Sequence, residues 1–222
     1  MRVVVVNASL SESSSGTALA RRVLQVIEAE QPAGSDPVEA NWVDLRSLGH
    51  ALLDYLYTHV PTQAVREAYA QLGQADLIVA VTPTYQAAYS GLFKLFWDLL
   101  PEGELRGKPV LLCATGGTGR HGLMIDHTLR PLFAYLGMIA LPTALYAATQ
   151  DWGDPGYEVE VGLEESLERR IKRAARDVWA YARLTEPTQP AVPVEDEPDP
   201  ASSATSAFPG FVDFETLLHP NS

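Results

Sequence analysis

The chain has 222 residues, of which 46% are hydrophobic, and its formal net charge at pH 7 is −12. This length and apolar content are typical of one domain with a substantial core. The acidic charge and the absence of a Lys and Arg cluster argue against nucleic acid as a partner. The sequence has no apolar run near the roughly 20 residues of a membrane span and no signal-peptide layout, so we expect a cytoplasmic protein with no membrane partner.

Apolar strands alternate with amphipathic helices over residues 1–183. Four consecutive valines, Val3 to Val6, predict a central strand that is covered on both faces. Further strands are predicted at residues 37–45, 75–83, 107–115 and 138–146, and helices at 18–31, 62–72, 90–100, 121–137 and 163–183. A loop containing Gly49 is expected after the second strand. This alternation predicts an α/β fold with a five-stranded parallel sheet, helices on both faces and ligands at the carboxyl ends of the strands.

Three residue types narrow the prediction further. Pro131 falls inside the fourth helical pattern, so we expect a kink or a split near Leu129, with an irregular or π-type turn around His127. The single cysteine, Cys113, lies in an apolar run, which favours a buried hydrophobic side chain over a nucleophile. The five histidines show no ligand spacing with Cys or acidic residues, so no metal site is predicted.

A serine-rich loop follows the first strand and leads into the first helix. Six hydroxyl-bearing residues fall within nine positions, at Ser9, Ser11, Ser13, Ser14, Ser15 and Thr17. The start of a helix offers free backbone N–H groups and the positive end of its dipole, which together bind anions. One or two serines would be explained by helix capping alone, but six favour a phosphate site.

Two more loops follow the third and fourth strands. The first loop is TPTY at Thr82–Tyr85, in which the residue before proline is excluded from the α-helical region of backbone angles. Its extended backbone can present hydrogen-bond donors and acceptors to a flat ring. The alternative interpretation is an ordinary exit from the strand. In the second, TGGTGRH at residues 115–121, paired glycines allow a ligand to approach the backbone closely. The residues alone therefore predict a site for a phosphorylated planar cofactor.

Other phosphate and hydrolase motifs do not fit the sequence. Gly117, Gly119 and Gly122 spell G-x-G-x-x-G, but this motif follows the fourth strand and has no acidic residue about 20 positions later, so it is not a dinucleotide fingerprint. The chain has no Walker-type phosphate loop and no G-x-S-x-G elbow of a serine hydrolase.

Residues 82–133 resemble the core of NADPH-dependent FMN reductases of the flavodoxin-like superfamily, notably those that supply reduced flavin to two-component monooxygenases such as the alkanesulfonate type. The shared motifs are TP-x-Y, a Ser-Gly-x-x-K helix start, Leu-Leu-Pro and ATGG, in one colinear run. The resemblance covers residues 1–183. The serine-rich loop is similar to the family's G-S-x-R…S-x-T motif, with Ser9, Ser15 and Thr17 in matching places, although Ser11 replaces the arginine of many members and Ala8 replaces a glycine.

The resemblance implies a flavodoxin-like, doubly wound sheet in the order 2-1-3-4-5, and hydride transfer from NADPH or NADH to FMN. It implies a homodimer or homotetramer and a luciferase-like or alkanesulfonate-type monooxygenase as a partner. The implied site has three parts: Ser9, Ser11, Ser15, Gly16 and Thr17 for the FMN phosphate; Pro83, Thr84, Tyr85 and Gln86 for the ring; and Thr115, Gly116, Gly117 and Thr118 for its other edge, with His121 a candidate for the ring or nicotinamide pocket. Two alternatives remain open: an electron carrier that holds FMN permanently, and a quinone or azo-dye reductase.

The C-terminal region differs from the rest of the chain. Residues 185–207 are rich in Pro, Ala, Ser and acidic residues, which predicts a disordered linker between a domain at 1–184 and a short segment at 208–222. That segment contains an apolar stretch, Phe208–Leu218, which we interpret as a docking peptide for a neighbouring subunit or for the monooxygenase; a remnant without function is the alternative. Seven acidic residues and no Lys or Arg follow Arg183, which leaves about −5 for the remainder of the chain.

Overall fold

The computed structural model of the chain describes residues 1–11, 13–152 and 166–185. Its centre is a parallel sheet in the order β2-β1-β3-β5-β6, in which β7 also pairs with β5 and the short β4 pairs antiparallel with β3. The strands are β1 (Arg2–Asn7), β2 (Glu39–Asp44), β3 (Leu77–Tyr85), β4 (Ala88–Tyr89), β5 (Pro109–Gly116), β6 (Ile139–Ala140) and β7 (Leu145–Ala148). The predicted order of the main strands, 2-1-3-4-5, is confirmed.

Helices cover both faces of the sheet. They are α1 (Ser15–Ala29), α2 (Leu45–Thr58), α3 (Gln63–Gln74), α4 (Gly91–Asp98), α5 (Arg130–Tyr135) and α6 (Leu167–Thr185). Helices α1 and α6 pack on one face, and α2 to α5 pack on the other. The indole Nε1 of Trp179 in α6 donates to the carbonyl of Ile27 in α1 at 2.9 Å, which joins the two helices of the first face.

The valines of β1 are buried on both sides of the sheet, as the consecutive apolar pattern predicted. Val3 and Val5 belong to the core under α1 and α6, whereas Val4 and Val6 belong to the core on the opposite face. Successive side chains of a strand point to opposite faces, so a strand buried on both sides has apolar residues at consecutive positions. Strand β1 therefore lies inside the sheet with its carboxyl end free for a loop.

The prediction of a loop around Gly49 was wrong, because residues 45–58 form helix α2. The Asp44 carboxylate caps this helix by accepting a hydrogen bond from the Arg46 backbone N–H at 3.1 Å. Leu48 and Leu52 are buried on one face of α2. A Cβ on Gly49 would lie 3.8 Å from Leu92 Cδ1, so the glycine sits where α2 packs against α4 and does not break the helix.

The fifth predicted strand, at residues 138–146, is interrupted. Strands β6 and β7 both pair with β5, and Pro142 lies in the gap between them. Proline has no backbone N–H to donate to a sheet, so continuous pairing through this position is unfavourable. The hairpin between β3 and β4 was not predicted either.

The irregular helix around His127 agrees with the prediction. Residues Ile125–Leu129 form a π-helical turn that runs directly into α5. Pro131 lies in the first turn of α5, and because it has no N–H it cannot donate to the carbonyl four residues earlier, at His127. The proline therefore explains why regular α-helical bonding begins only at its position.

The C-terminal predictions fall largely outside the described residues. Thr185 ends α6, and the remainder of the predicted linker and the peptide Phe208–Leu218 lie beyond it. Among the helices that the structure describes, none has the length and apolar character needed to cross a membrane.

Candidate functional site

Three loops leave the same edge of the sheet. We call them the serine loop (residues 8–14, after β1), the hairpin loop (residues 82–89, at the end of β3) and the glycine loop (residues 115–122, after β5). Asn7 pairs with Val81 of β3, and Pro83 of β3 pairs with Thr115 of β5. The Ala8 N–H donates to the Val81 carbonyl at 2.9 Å. The loops predicted from the sequence therefore meet at the carboxyl ends of three adjacent parallel strands, where this class of sheet binds ligands.

The serine loop is held by Asn7, which the sequence analysis did not name, and by Ser14, which it named only as one of the six hydroxyl-bearing residues. Asn7 Nδ2 donates to Thr17 Oγ1 at 3.0 Å, and Asn7 Oδ1 accepts from the Ser9 N–H at 3.2 Å. Ser14 is the N-cap of α1, and its hydroxyl accepts from the Thr17 N–H at 3.1 Å. The signals for both were present, since Asn commonly bonds the backbone two residues on and Ser is a preferred N-cap.

The environment of Ser9 is the clearest indication of a ligand at this loop. Its side chain is 4% exposed, and its Oγ has no hydrogen-bond partner in the described part of the chain. A Cβ on Gly16 would lie only 2.3 Å from that oxygen, so the hydroxyl occupies the space that glycine leaves at the start of α1. Buried hydroxyls without a partner are rare because they lose their bonds to water. An acceptor at the helix start would satisfy this one.

The other predicted residues of this loop differ in exposure. Thr17 is buried, but its hydroxyl is already occupied within the loop, 3.0 Å from Ser14 Oγ and 3.0 Å from Asn7 Nδ2. Ser11 and Ser15 are exposed, and Ser15 is the first residue of α1. The structure thus brings all of these residues to the start of α1, where the Thr17 hydroxyl bonds Asn7 and Ser14.

The hairpin loop has an unusual turn. Tyr85 pairs with Ala88, which leaves Gln86 and Ala87 as a two-residue turn in which both have positive φ, 48° and 65°. Two-residue hairpins of this kind normally use Asn-Gly, because only glycine adopts positive φ without cost. Strained residues of this kind cluster at functional sites. Gln86 and Tyr85 are exposed at the tip of the hairpin.

The base of the hairpin loop is fixed by hydrogen bonds. The Thr82 hydroxyl donates to the Pro83 carbonyl at 2.9 Å and accepts from the Ser90 N–H at 3.1 Å. Ser90 in turn caps α4 by accepting from the Phe93 N–H at 3.2 Å. Thr84 lies above this base, and its Oγ1 is buried without a partner among the described residues.

The glycine loop is clamped by Tyr146 of β7, which the sequence analysis also missed. The Tyr146 hydroxyl donates to the Thr118 carbonyl at 3.1 Å. A Cβ on Gly116 would lie 2.0 Å from the Tyr146 hydroxyl oxygen, so the glycine leaves the space that this hydroxyl occupies; Thr84 Cβ, at 3.5 Å, is at an ordinary contact distance. Thr115 is buried beside it, and Gly117 is exposed.

The sequence of this chain matches the model of the NADPH-dependent FMN reductase family over residues 1–153. The chain belongs to this family. It is 38% identical to the NADH-dependent FMN reductase SfnF of Pseudomonas putida, over 76% of this chain and 88% of that protein. It is 34% identical to the NADPH-dependent FMN reductase of Pseudomonas aeruginosa, over 73% of this chain and 86% of that protein.

Solved structures agree with the assignment of this reductase. An oxidoreductase from Corynebacterium diphtheriae superposes with a TM-score of 0.74 at 31% identity, over 83% of this chain and 98% of that one. The apo form of the NADH:FMN oxidoreductase EmoB superposes with a TM-score of 0.66 at 25% identity, over 91% of this chain and 99% of that one. The predicted fold, family and enzyme class, an NAD(P)H:FMN oxidoreductase, are therefore confirmed. FMN and NAD(P)H are the substrates of this family.

The charges and titratable groups of the reductase limit what the site can do. Residues 7–17 contain one acidic residue, Glu12, and no Lys or Arg, so the serine loop would bind an anion through neutral donors and the helix dipole. His121 is exposed in a short 3₁₀ turn, and none of the described contacts joins its ring to the hairpin loop.

The described residues of these loops offer neither a reactive thiol nor a cluster of metal ligands. Cys113 lies in the core of β5, and burial raises the pKa of its thiol, so it stays protonated and is not a nucleophile. The described residues contain no cluster of His, Cys, Asp and Glu that could hold a metal ion.

Proposed function

We propose that this reductase binds FMN across the three loops, reduces it with NAD(P)H and releases the reduced flavin to a flavin-dependent monooxygenase. The observation that carries the proposal is the Ser9 hydroxyl, which is buried against Gly16 at the start of α1 and has no partner among the described residues. An FMN phosphate at that position would accept a hydrogen bond from the hydroxyl and face the positive end of the helix dipole. Each charge-assisted bond of this kind is worth about 1.5–3 kcal/mol.

In this proposal the predicted phosphate residues have different roles. Ser9 donates its hydroxyl to the phosphate, and the backbone N–H groups of Ser15 and Gly16 face it from the first turn of α1. Ser11 adds a neutral donor from the exposed side of the loop. Thr17 keeps the Ser14 cap and the Asn7 side chain in place, since its hydroxyl bonds both of them.

The hairpin and glycine loops would hold the two edges of the flavin ring. Pro83, Thr84, Tyr85 and Gln86 form one wall, and residues 115–118 form the other, with His121 near the outer end of the second wall. Thr84 Oγ1 is buried and has no partner in the part of the chain that the structure describes, and a polar ring edge would supply one. When bound, FMN supplies the chemistry by accepting a hydride from the nicotinamide, so the loops need only position the two rings and exclude water. No side chain is required as an acid or a base.

The neutral serine loop supports FMN as an exchanging substrate. Since residues 7–17 include one acidic residue and no Lys or Arg in sequence, the loop offers less attraction to a dianion than one with arginine. The test is NADPH and NADH oxidation by the purified chain with added FMN, followed by dialysis and flavin absorbance. Steady turnover with FMN lost on dialysis supports the proposal. No turnover, with FMN retained, would instead identify an electron carrier; turnover only with quinones or azo dyes would identify the other alternative.

The proposals of a partner and of a homo-oligomer depend on the resemblance of residues 82–133 to reductases of two-component systems. The apolar sequence of α4 does not by itself call for a neighbouring subunit. Phe93, Phe96 and Trp97 are all buried within the chain, and the half-buried leucines of this helix pack against the same core. Light scattering tests the assembly: a mass of two or four times 24.1 kDa is expected, and 24.1 kDa would refute it.

A further inference from the structure

Helix α2 ends in a group of apolar side chains that face solvent. Leu53 is 44% exposed, Leu56 41%, Tyr57 76% and Val60 66%. The first three are spaced i, i+3 and i+4 and share one face of α2, and Val60 follows two residues after the helix ends. The Val60 N–H donates to the Thr58 hydroxyl at 3.2 Å, which holds this residue beside the last turn. We call these four apolar residues the α2 patch.

The α2 patch takes no part in the packing of α2 inside the chain. The buried residues of this helix are Leu45, Leu48 and Leu52, and the patch begins after them. Twelve large hydrophobic residues are exposed in the described part of the chain, and four of them form this patch, so the exposure is concentrated at one place. Single exposed apolar side chains are normal, whereas a contiguous patch marks an interaction surface.

The apolar surface continues from the patch towards α4. Gly49 lies four residues before Leu53, on the same side of α2. A Cβ on Gly49 would lie 3.8 Å from Leu92 Cδ1 of α4, and Leu92 is only partly buried against the core. A molecule that covers the patch can therefore reach Leu92 as well.

The charge around the patch favours a second copy of this chain as its partner. Two copies with a formal net charge of −12 each repel one another, so they associate best where the local charge is low. Residues 45–60 contain one basic residue, Arg46, and one acidic residue, Asp54, whose formal charges cancel. The patch itself contains no charged residue, and charged residues are depleted at the core of interfaces between subunits.

The size of the patch also fits an interface between two copies. Its exposed fractions leave roughly 400–500 Å² of side-chain surface per copy in solvent, with Tyr57 as the largest contributor. Two patches that face each other bury about 800–1,000 Å², and a specific interface buries at least about 1,000 Å² in total. Asp54, Thr58 and His59 are exposed beside the patch and would be covered with it. A twofold contact places the same patch on both sides, so apolar side chains meet apolar ones.

We propose that two copies of this reductase pack against each other through the α2 patch, about a twofold axis. This inference rests on the proposed homo-oligomer and names the surface that forms it. It does not depend on the FMN site, because α2 lies outside the serine, hairpin and glycine loops.

The first experiment places charges in the patch. Light scattering over a dilution series compares the wild type with a variant that combines Leu56→Glu and Tyr57→Glu. Leu184→Glu is the matched control, because Leu184 is an 83% exposed apolar residue on α6, which packs on the other face of the sheet. Thermal melts establish that each protein is folded.

The charged variant should dissociate because two carboxylates of each copy would be buried against those of the other. Its mass should be half that of the wild type at the same concentration, and the Kd of association should rise by about thirtyfold or more, as expected for residues at the centre of an interface. The control should keep the wild-type mass and Kd.

A second experiment needs no disruptive substitution. Tyr57→Cys places a thiol in the patch, and Leu184→Cys is its control. The native cysteine, Cys113, is buried and will not react, so a short bis-maleimide joins two chains only where the new thiols lie close together. We expect a cross-linked dimer for Tyr57→Cys and none for Leu184→Cys. If the charged variant does not fold, this result decides the question.

The outcomes distinguish the interface from the oligomer. A wild-type mass of 24.1 kDa would refute both. A larger mass that the charged variant keeps, together with no cross-link at Tyr57→Cys, would overturn only the interface and leave the oligomer to another surface. If the charged variant kept its mass but no longer drove a flavin-dependent monooxygenase, the patch would bind that enzyme, and the inference of a second copy would be wrong.

Discussion

The contact between Gly16 and Ser9 allows flavin binding to be changed without much change in stability. A Cβ on Gly16 would lie 2.3 Å from Ser9 Oγ, which is closer than real Cβ contacts. Replacing Gly16 by alanine must therefore turn the Ser9 hydroxyl away from its present position or shift the loop slightly. If that hydroxyl binds the FMN phosphate, Gly16→Ala should impair FMN binding although residue 16 has no polar side chain to lose.

The two energies can be estimated separately. Alanine is favoured over glycine in a helix by at most about 1 kcal/mol. Forcing Ser9 off its rotamer costs on the order of 0.5–1.5 kcal/mol, so the net change in the free energy of unfolding should be small. Loss of one charge-assisted hydrogen bond to phosphate costs about 1.5–3 kcal/mol, which weakens FMN binding by roughly tenfold to a hundredfold.

The assay compares FMN with riboflavin, which lacks the phosphate. Flavin fluorescence titrations and urea unfolding are measured for Gly16→Ala, for Ser9→Ala and for the double variant. Gly73→Ala is a matched control, because Gly73 also lies in a helix but a Cβ there would meet nothing within 4 Å. This control should be unchanged in FMN affinity and as stable as the wild type or slightly more so.

The double variant gives the sharpest test of the reasoning. Once Ser9 is alanine there is no hydroxyl to displace, so adding Gly16→Ala should cause no further loss of FMN affinity. Losses that add up would mean that the two residues act independently. Riboflavin affinity should remain within about twofold throughout, since only the phosphate contact is lost; an equal loss for both flavins would refute the phosphate assignment.

Three further predictions follow from the loops and the C-terminal region. Tyr146→Phe removes the hydrogen bond to the Thr118 carbonyl, so the free energy of unfolding should fall by about 1 kcal/mol and FMN affinity should fall with it; a variant with wild-type urea unfolding and FMN Kd would contradict the clamp. Replacing Gln86-Ala87 by Asn-Gly puts residues that tolerate positive φ at both turn positions, so the free energy of unfolding should rise by about 1–3 kcal/mol in the same assay; no increase would mean that the turn is unstrained. Deleting residues 186–222 should leave FMN affinity unchanged but lower the rate at which a partner monooxygenase is driven; an unchanged rate would mean that the predicted docking peptide has no such role.

The sheet was predictable from sequence because its residues are buried on both sides. The consecutive valines Val3 to Val6 predicted a strand buried on both faces, and in the structure they alternate between the cores on the two sides of the sheet. Helix α2 was missed because glycine is locally unfavourable in a helix, whereas Gly49 lies inside α2, on the side that faces Leu92 of α4. Contacts between elements that are distant in sequence decide such cases, and the local pattern does not contain them.

The candidate site was predictable to the level of its three loops, but the supporting residues were not. The loops follow adjacent strands, so the topology alone brings them together. Asn7 and Ser14 have local signals, an Asn that bonds the backbone two residues on and a Ser at an N-cap, but neither stands out among six hydroxyl-bearing neighbours. Tyr146 has none, because its role depends on the register of β7 against β5, which places its hydroxyl at Gly116 and Thr118.

The unpartnered hydroxyls explain why binding and stability are linked at this sheet edge. Ser9 Oγ and Thr84 Oγ1 have no partner among the described residues, and a buried hydroxyl left unsatisfied costs about 1–3 kcal/mol. A flavin that supplies the acceptors recovers this energy only in the complex, so FMN should raise the melting temperature of the wild type. Ser9→Ala removes one unsatisfied group together with its contact to the ligand, which should make the free protein more stable and its stabilisation by FMN smaller. A buried hydroxyl that lacks a partner among the described residues adds nothing to the stability of the free protein, so a bound acceptor is the simplest role for a serine at this position.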